Sequence, residues 1–210
     1  MSDHTRMRTL VIGIETARRE AEMTHEYGPF DEKVSQFYQL AFQDEHDITY
    51  AMRAEVCYNI AKANVDQGTV AQSSIKAHAL FLLALRYVDD SADNALAAND
   101  TTGIAYAFMM KGGHVLPALG RYDEAGKLLK LTVDDADHLL TLIDEGERKR
   151  LHNAAMNCRA HLIRLHVKHG QHFWPLQELA ARFKEDLIAL KFENEQWALD
   201  VLEMARGYAP

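Results

Sequence analysis

The side chains best suited to chemistry in this chain are carboxylates and histidines set one helical turn apart. Asp89, Asp90 and Asp93 have a spacing that lets carboxylates on one helix hold Mg2+ against a substrate diphosphate, such as a prenyl diphosphate. That chemistry needs a second metal-binding element across a deep apolar cavity. Asp134, Asp135 and Asp137 are the neighbours of similar kind, and their spacing is wrong. A solvated acidic helix end accounts for Asp89 to Asp93 without any catalyst. Glu22 with His25, and Asp135 with His138, each set a carboxylate and a histidine one turn apart. Two Glu-x-x-His motifs and two lone glutamates build a di-iron bundle. Here the first motif has no earlier helix to bring its lone glutamate, and the second uses the shorter arm of Asp. His46-Asp47 hints at metal-dependent phosphohydrolysis, which Ile48-Thr49-Tyr50 does not continue. His161, His166, His169 and His172 form a cluster. The pair His166 and His169 has the spacing to share a metal, although surface or groove histidines are the plainer account. No glycine-rich phosphate loop appears, and no nucleophile is flagged by a neighbouring base. The expectation is a protein that is not an enzyme, with no catalytic residue, no metal and no cofactor.

The bulk composition points the same way. A chain of 210 residues that is 48% hydrophobic can bury a sizeable core, so disorder is not the default. A net charge of -8 argues against nucleic acid as a partner, because phosphate recognition needs clustered Lys and Arg. It suits a dispersed cytoplasmic protein. The apolar runs, such as Ala77 to Leu85 around His78, fall far short of the roughly 20 residues that span a bilayer. Met1-Ser2-Asp3-His4 shows no basic segment leading into an apolar core, so neither a signal peptide nor a membrane partner is expected. Cys57 and Cys158 fall inside helical patterns and are read as buried free thiols.

The elements that must carry these side chains are all helices, about nine of them. Their expected spans are Thr5 to Glu26, Asp31 to Gln43, Ala51 to about Gly68, and a long fourth helix to Ala98, interrupted near Asp89 to Asp93. Asp44 to Asp47 breaks the pattern, and Thr69 with Gln72 fits a capping box. Asn99 to Gly103 reads as a loop. The fifth helix, Ile104 to Leu119, should bend at Pro117. The sixth has the best apolar stripe, from Ala125 through Leu129 and Val133 to Ile143. Asp144 with Glu147 opens a seventh to His169, with Leu162 and Leu165 on its core stripe. Pro175 suits the first turn of an eighth, to Phe192, and Glu195 to Arg206 closes the series. No stretch alternates apolar residues between turn signals, so strands are not expected.

A glycine returns in one setting between these helices: Gly28, Gly68, Gly120 and Gly170, separated by 40, 52 and 50 residues. A glycine closing one helix before an acidic first turn opens the next is a helical hairpin turn. At Gly113, Gly120, Tyr122 and Ala125 the chain resembles a tetratricopeptide repeat. In that family a small residue in the first helix lets the second approach, a glycine makes the turn, an aromatic follows, and an alanine sits at the helix crossing. Ala21, Gly28 and Phe30 match in the first unit, with Lys33 in place of the crossing alanine. Ala61 and Gly68 match in the second, with Val70 and Ser73 as weak substitutes. In the fourth only Gly170 matches, and Ile163, His172 and Pro175 depart. The units exceed the family's compact repeat of about 34 residues, and resemble those of bacterial peptide-sensing regulators more than those of co-chaperones. The resemblance implies an all-α stack of antiparallel helix hairpins, a TPR-like α-solenoid in a single domain over 1–210. Its units span about 5–43, 46–98, 101–143 and 145–190, with a capping helix at 195–206. The rival reading is an irregular helical bundle.

The resemblance also implies a concave groove lined by the first helix of each pair. Carried residue by residue, it places Arg18, Arg19 and Glu22, then Tyr58, Asn59 and Lys62, then Met110, Lys111 and His114, and lastly Ala160, His161 and Arg164 toward a ligand. This set is basic and rich in hydrogen-bonding groups within an acidic chain, although long arms that snorkel over apolar surface would look alike. The expected function is a scaffold-like binding module that holds a protein or peptide segment, acidic or C-terminal in character. The alternative is a regulatory sensor whose superhelix responds to a small effector or peptide. Homo-oligomerisation is left open.

Overall fold

The computed structural model describes residues 3–43, 48–143 and 145–208, and these contain helices and no strand. The helices are α1 (Asp3–Thr24), α2 (Gly28–Gln43), α3 (Tyr50–Val70), α4 (Ser74–Ala97), α5 (Thr101–Met110), α6 (Leu116–Ala118), α7 (Tyr122–Leu139), α8 (Glu145–His169), α9 (Leu176–Leu190) and α10 (Gln196–Gly207). A π-helical turn, Lys111–Val115, joins α5 to α6 without a break, so the described residues form nine helical rods. The expected break at Asp44 to Asp47, the His46-Asp47 pair and the Asp144 cap lie outside the described residues. Helix α4 runs through Asp89 to Asp93 with no interruption.

Two of the four repeating glycines make the turns their spacing suggests. Gly120 and Gly170 have φ of +74 and +64. Around Gly120, the Arg121 N–H donates to the Leu116 carbonyl at 2.9 Å and the Gly120 N–H to that of Pro117 at 3.0 Å, which satisfies the orphan carbonyls of the helix end. Gly28 and Gly68 do not work this way. Gly28 opens α2, and the left-handed residue of its turn is His25, at φ +60. Gly68 lies inside the last turn of α3, where a Cβ would stand 3.0 Å from the Phe81 ring. It lets α4 approach rather than turning the chain. No capping box forms from Thr69 and Gln72. The Thr69 hydroxyl instead donates to the Val65 carbonyl at 2.8 Å, and Ser73 caps α4 by accepting from the Lys76 N–H. Asn99 and Lys191, at φ +54 and +63, close α4 and α9 with the bond pattern seen at Gly120: Asp100 N–H to Ala95 carbonyl, 2.9 Å, and Phe192 N–H to Leu187 carbonyl, 2.8 Å.

At Pro117 the backbone widens ahead of the ring. Proline has no N–H to offer the preceding turn. The Leu116 N–H reaches back five residues to the Lys111 carbonyl, a π-turn of the kind that relieves a helix ladder under strain. Pro175 stands at the N-cap of α9, one position before the expected first turn.

The chain divides into two compact units, Met1–Ala107 and Phe108–Pro210. In the first, α1 packs on both α2 and α3, and α3 packs on α4. Its core joins Val11, Ile14, Phe30, Phe37, Val56 and Ile60. In the second, α8 packs against α7, α9 and α10, around Leu129, Leu151, Ile163, Phe183 and Leu187. The double glycine of the π-turn serves two neighbours there. A Cβ on Gly112 would lie 2.8 Å from Leu129 of α7, and one on Gly113 would lie 2.5 Å from His161 of α8. The small residue that admits the partner helix is thus Gly112, while Gly113 seats the next helix. Cys57 and Cys158 are free and buried. Burial raises their thiols to about 11 and about 12, so neither is a thiolate at neutral pH.

Candidate ligand site

In the first unit the side chains proposed for a groove meet where α1 packs on α3. Arg18 is 5% exposed, and a guanidinium that deep needs partners. Its Nε donates to Asn59 Oδ1 at 2.9 Å and its Nη1 to Glu22 Oε2 at 2.7 Å. Asn59 donates in turn to the Glu55 carbonyl at 2.8 Å, which fixes its amide. Lys62 Nζ stands 3.7 Å from the same Glu22 oxygen. Four of the residues placed from the turn glycines, Arg18, Glu22, Asn59 and Lys62, therefore form one network. Tyr58, beside Asn59, packs its ring edge-on to Tyr106 with centroids 6.3 Å apart. Burial, then the Tyr106 phenol, hold its own phenol above the ordinary range. Arg19 points elsewhere and pairs with Glu15 on the exposed side of α1, at 2.6 Å.

Sequence reasoning missed two members of this network. Asp66, one turn beyond Lys62, brings Oδ2 to 4.0 Å from Arg18 Nη1. Burial and then the Glu22 charge push its carboxyl up to about 6, against the pull of Lys62 and Arg18. Tyr27 belongs to the α1–α2 turn, and burial followed by the Asp66 and Glu22 charges raises its phenol. The Tyr27 hydroxyl and Asp66 Oδ2 are buried and have no hydrogen-bond partner. Glu22 differs. Burial works to raise its carboxyl, but the Arg18 hydrogen bond and the Lys62 charge outweigh it and leave it lowered.

In the second unit, Met110 is buried, and Lys111 and His114 lie on the π-turn. Ala160 is buried in the core. The His161 ring sits in the space left by Gly113, edge-on to His114 with centroids 4.6 Å apart. Burial, then the charges of His114 and Arg164, keep His161 well below the usual histidine range, so it is neutral at pH 7. Burial also lowers Arg164. The cations that make the sequence look like a positive strip are thus largely engaged in the first unit and partly buried in the second.

No family model, no curated protein and no solved structure matches the chain. The geometry alone must carry the reading.

Several of the histidines and carboxylates considered for metals are engaged elsewhere. Asp137 receives the buried Arg159 through both oxygens at 2.6 Å, and Arg159 also donates to Asp186 at 2.8 Å. His152 contacts the other Asp186 oxygen at 2.8 Å. His25 stands beyond the end of α1. His166 and His169 do not face each other: His166 meets His172 at 3.0 Å, and His169 stacks on Tyr122 with centroids 3.9 Å apart. Among the described residues, no three His, Cys, Asp or Glu side chains come together to hold a metal.

Proposed function

We propose that the chain is a non-enzymatic binding module whose stacked helix hairpins, TPR-like in arrangement, hold an extended protein or peptide segment. The observation that carries this reading is the unfinished hydrogen bonding where α1 meets α3. A buried hydroxyl and a buried carboxylate oxygen without hydrogen-bond partners cost free energy in the unbound protein. Here they stand in a network with Lys62 and Glu22, whose side chains keep 31% and 43% of their surface. A peptide backbone offers what is missing. Lys62 is already exposed to its carbonyls; with a shift of the α1–α2 turn that uncovers the two buried atoms, its N–H groups can donate to Asp66 and its carbonyls can accept from Tyr27, and the rigid helices lower the ordering cost of binding. Because Arg18 is neutralised by Glu22, recognition in this unit rests on hydrogen bonding more than on net charge.

The test is selection of peptides from a random displayed library on the immobilised full-length chain, followed by titration of synthetic peptides. Tyr27→Phe removes a hydroxyl that has no partner in the free protein. It should leave unfolding stability unchanged or slightly higher, yet weaken peptide binding about fivefold to tenfold, roughly 1 to 1.4 kcal/mol. Lys62→Ala should weaken binding by a similar factor. If every selected peptide binds both variants as it binds the wild type, the site is wrong.

A further inference from the structure

We infer that the first unit carries a second site, a cleft between α1 and α2 for a small organic oxyanion, of the phosphate-monoester or dicarboxylate type, with an apolar body. This site does not depend on the peptide reading. The cleft has a volume of about 380 Å3, and its lining includes Arg6, Leu10 and Gly13 from α1 and Lys33, Gln36, Gln39 and Leu40 from α2. Arg6, Leu10 and Gly13 fall on one face of α1 at spacings of four and three, and Lys33, Gln36 and Leu40 on one face of α2 at three and four. The two faces are those of adjacent packed helices.

Lys33 is the residue that departs from the repeat pattern, where the resemblance calls for a small residue at the helix crossing. On the other helix it faces Gly13. A Cβ on Gly13 would stand 3.8 Å from Lys33 Nζ and 3.9 Å from its Cδ. The ammonium therefore lies over the backbone of α1. Glycine weakens a helix interior, and nothing nearer than 3.8 Å obliges one here, unlike Gly68 or Gly112. What the missing side chain provides is room above the floor of the cleft.

The charges in the cleft are unspent among the described residues. Further along α1, Arg8 pairs with Glu55, Arg18 with Glu22 and Arg19 with Glu15. Arg6 and Lys33 have no ion-pair partner among the described residues, in a chain with 31 carboxylate side chains. Two cations so placed, one of them a guanidinium fork, suit a doubly charged oxyanion. Among the described residues the Gln36 carboxamide is held by a 3.4 Å contact to Glu32 and can turn to donate. Leu10 and Leu40, half-buried at the edge of the core, give the carbon body of the ligand an apolar wall.

The experiment is a titration of the 15N-labelled full-length chain, read from the Gly13, Gln36 and Gln39 amide shifts. The probes are butyl phosphate, succinate and inorganic phosphate, each at ionic strength matched with sodium chloride. Saturable shifts confined to the cleft, with butyl phosphate tighter than inorganic phosphate, support the site. Lys33→Gln should weaken butyl phosphate at least about tenfold. Gly13→Leu fills the floor; it should abolish the saturable shifts at Gln36 and Gln39 while the melting temperature holds or rises. Shifts that stay linear to about 10 mM ligand, or match those of chloride alone, overturn the proposal. So does an unchanged affinity in Lys33→Gln.

Discussion

Replacing Asp66 by Asn should stabilise the protein in a pH-dependent way. The Asp66 carboxyl titrates near 6 in the folded state, against a usual value of 3.8. The folded protein thus holds this proton more tightly than the unfolded chain. Between about pH 4 and pH 6 it binds more protons than the unfolded state, and stability falls as pH rises through that window. The contribution is fully present below about pH 4 and gone above about pH 6. A shift of about two pKa units corresponds to roughly 3 kcal/mol at 1.36 kcal/mol per unit. Asp66 keeps 21% of its side-chain surface, and solvent screening reduces the figure to about 1 to 2 kcal/mol. Asparagine cannot ionise, and Arg18 keeps Glu22 and Asn59 as partners. Asp66→Asn should therefore match the wild type near pH 4 and exceed it by about 1 to 2 kcal/mol at pH 7 to 8. Urea titrations at several pH values, compared at equal m, measure the difference. Glu22 contributes in the opposite sense, its lowered carboxyl losing stability as pH falls below its usual range, but it is common to both proteins and cancels. If the difference is flat with pH, or if Asp66→Asn destabilises at pH 8, Asp66 is a productive ion-pair partner of Arg18 and the account of an uncompensated carboxylate is wrong.

Two further substitutions test the packing. Gly120→Val should cost about 1 kcal/mol or more in urea unfolding, because φ is +74 there and a β-branched side chain is strained in that region even with open space around it. Arg159→Ala should cost about 3 to 5 kcal/mol, since it leaves the Asp186 carboxylate, itself 7% exposed, with His152 in place of a full cation, whereas exchanging Arg159, Asp137 and Asp186 together for apolar residues should recover most of that loss.

The helices were legible because their apolar residues recur at helical spacing over long runs, and that period decides which face is buried regardless of the turns between them. The turns were half legible, for a physical reason. A left-handed residue costs a non-glycine side chain only about 1 to 2 kcal/mol, so a helix end held by six-to-one hydrogen bonds can place Asn99 or Lys191 there, and the end of α1, where Thr24 Oγ1 accepts from the Glu26 N–H, can place His25 there. Conversely a glycine such as Gly68 can serve an approaching ring. Spacing counted from glycines therefore finds Gly120 and Gly170 and misassigns the others. The same limit governs the polar networks. Arg18, Glu22, Asn59 and Lys62 came together because a helix face fixes which residues share it and α1 happens to lie against α3. Asp66 was within reach of the same reasoning, one turn beyond Lys62, had the i,i+4 row been followed further. Tyr27 was not, because its place depends on how the α1–α2 turn folds back. Arg159 carries a signal of its own: it follows Cys158 and precedes Leu162 in a stripe where burial is complete, and a cation there must have carboxylates from other helices. Which carboxylates, Asp137 at 22 residues' remove and Asp186 at 27, only the packing of three helices decides. Period within a helix names the residues that need partners; contacts between helices choose them.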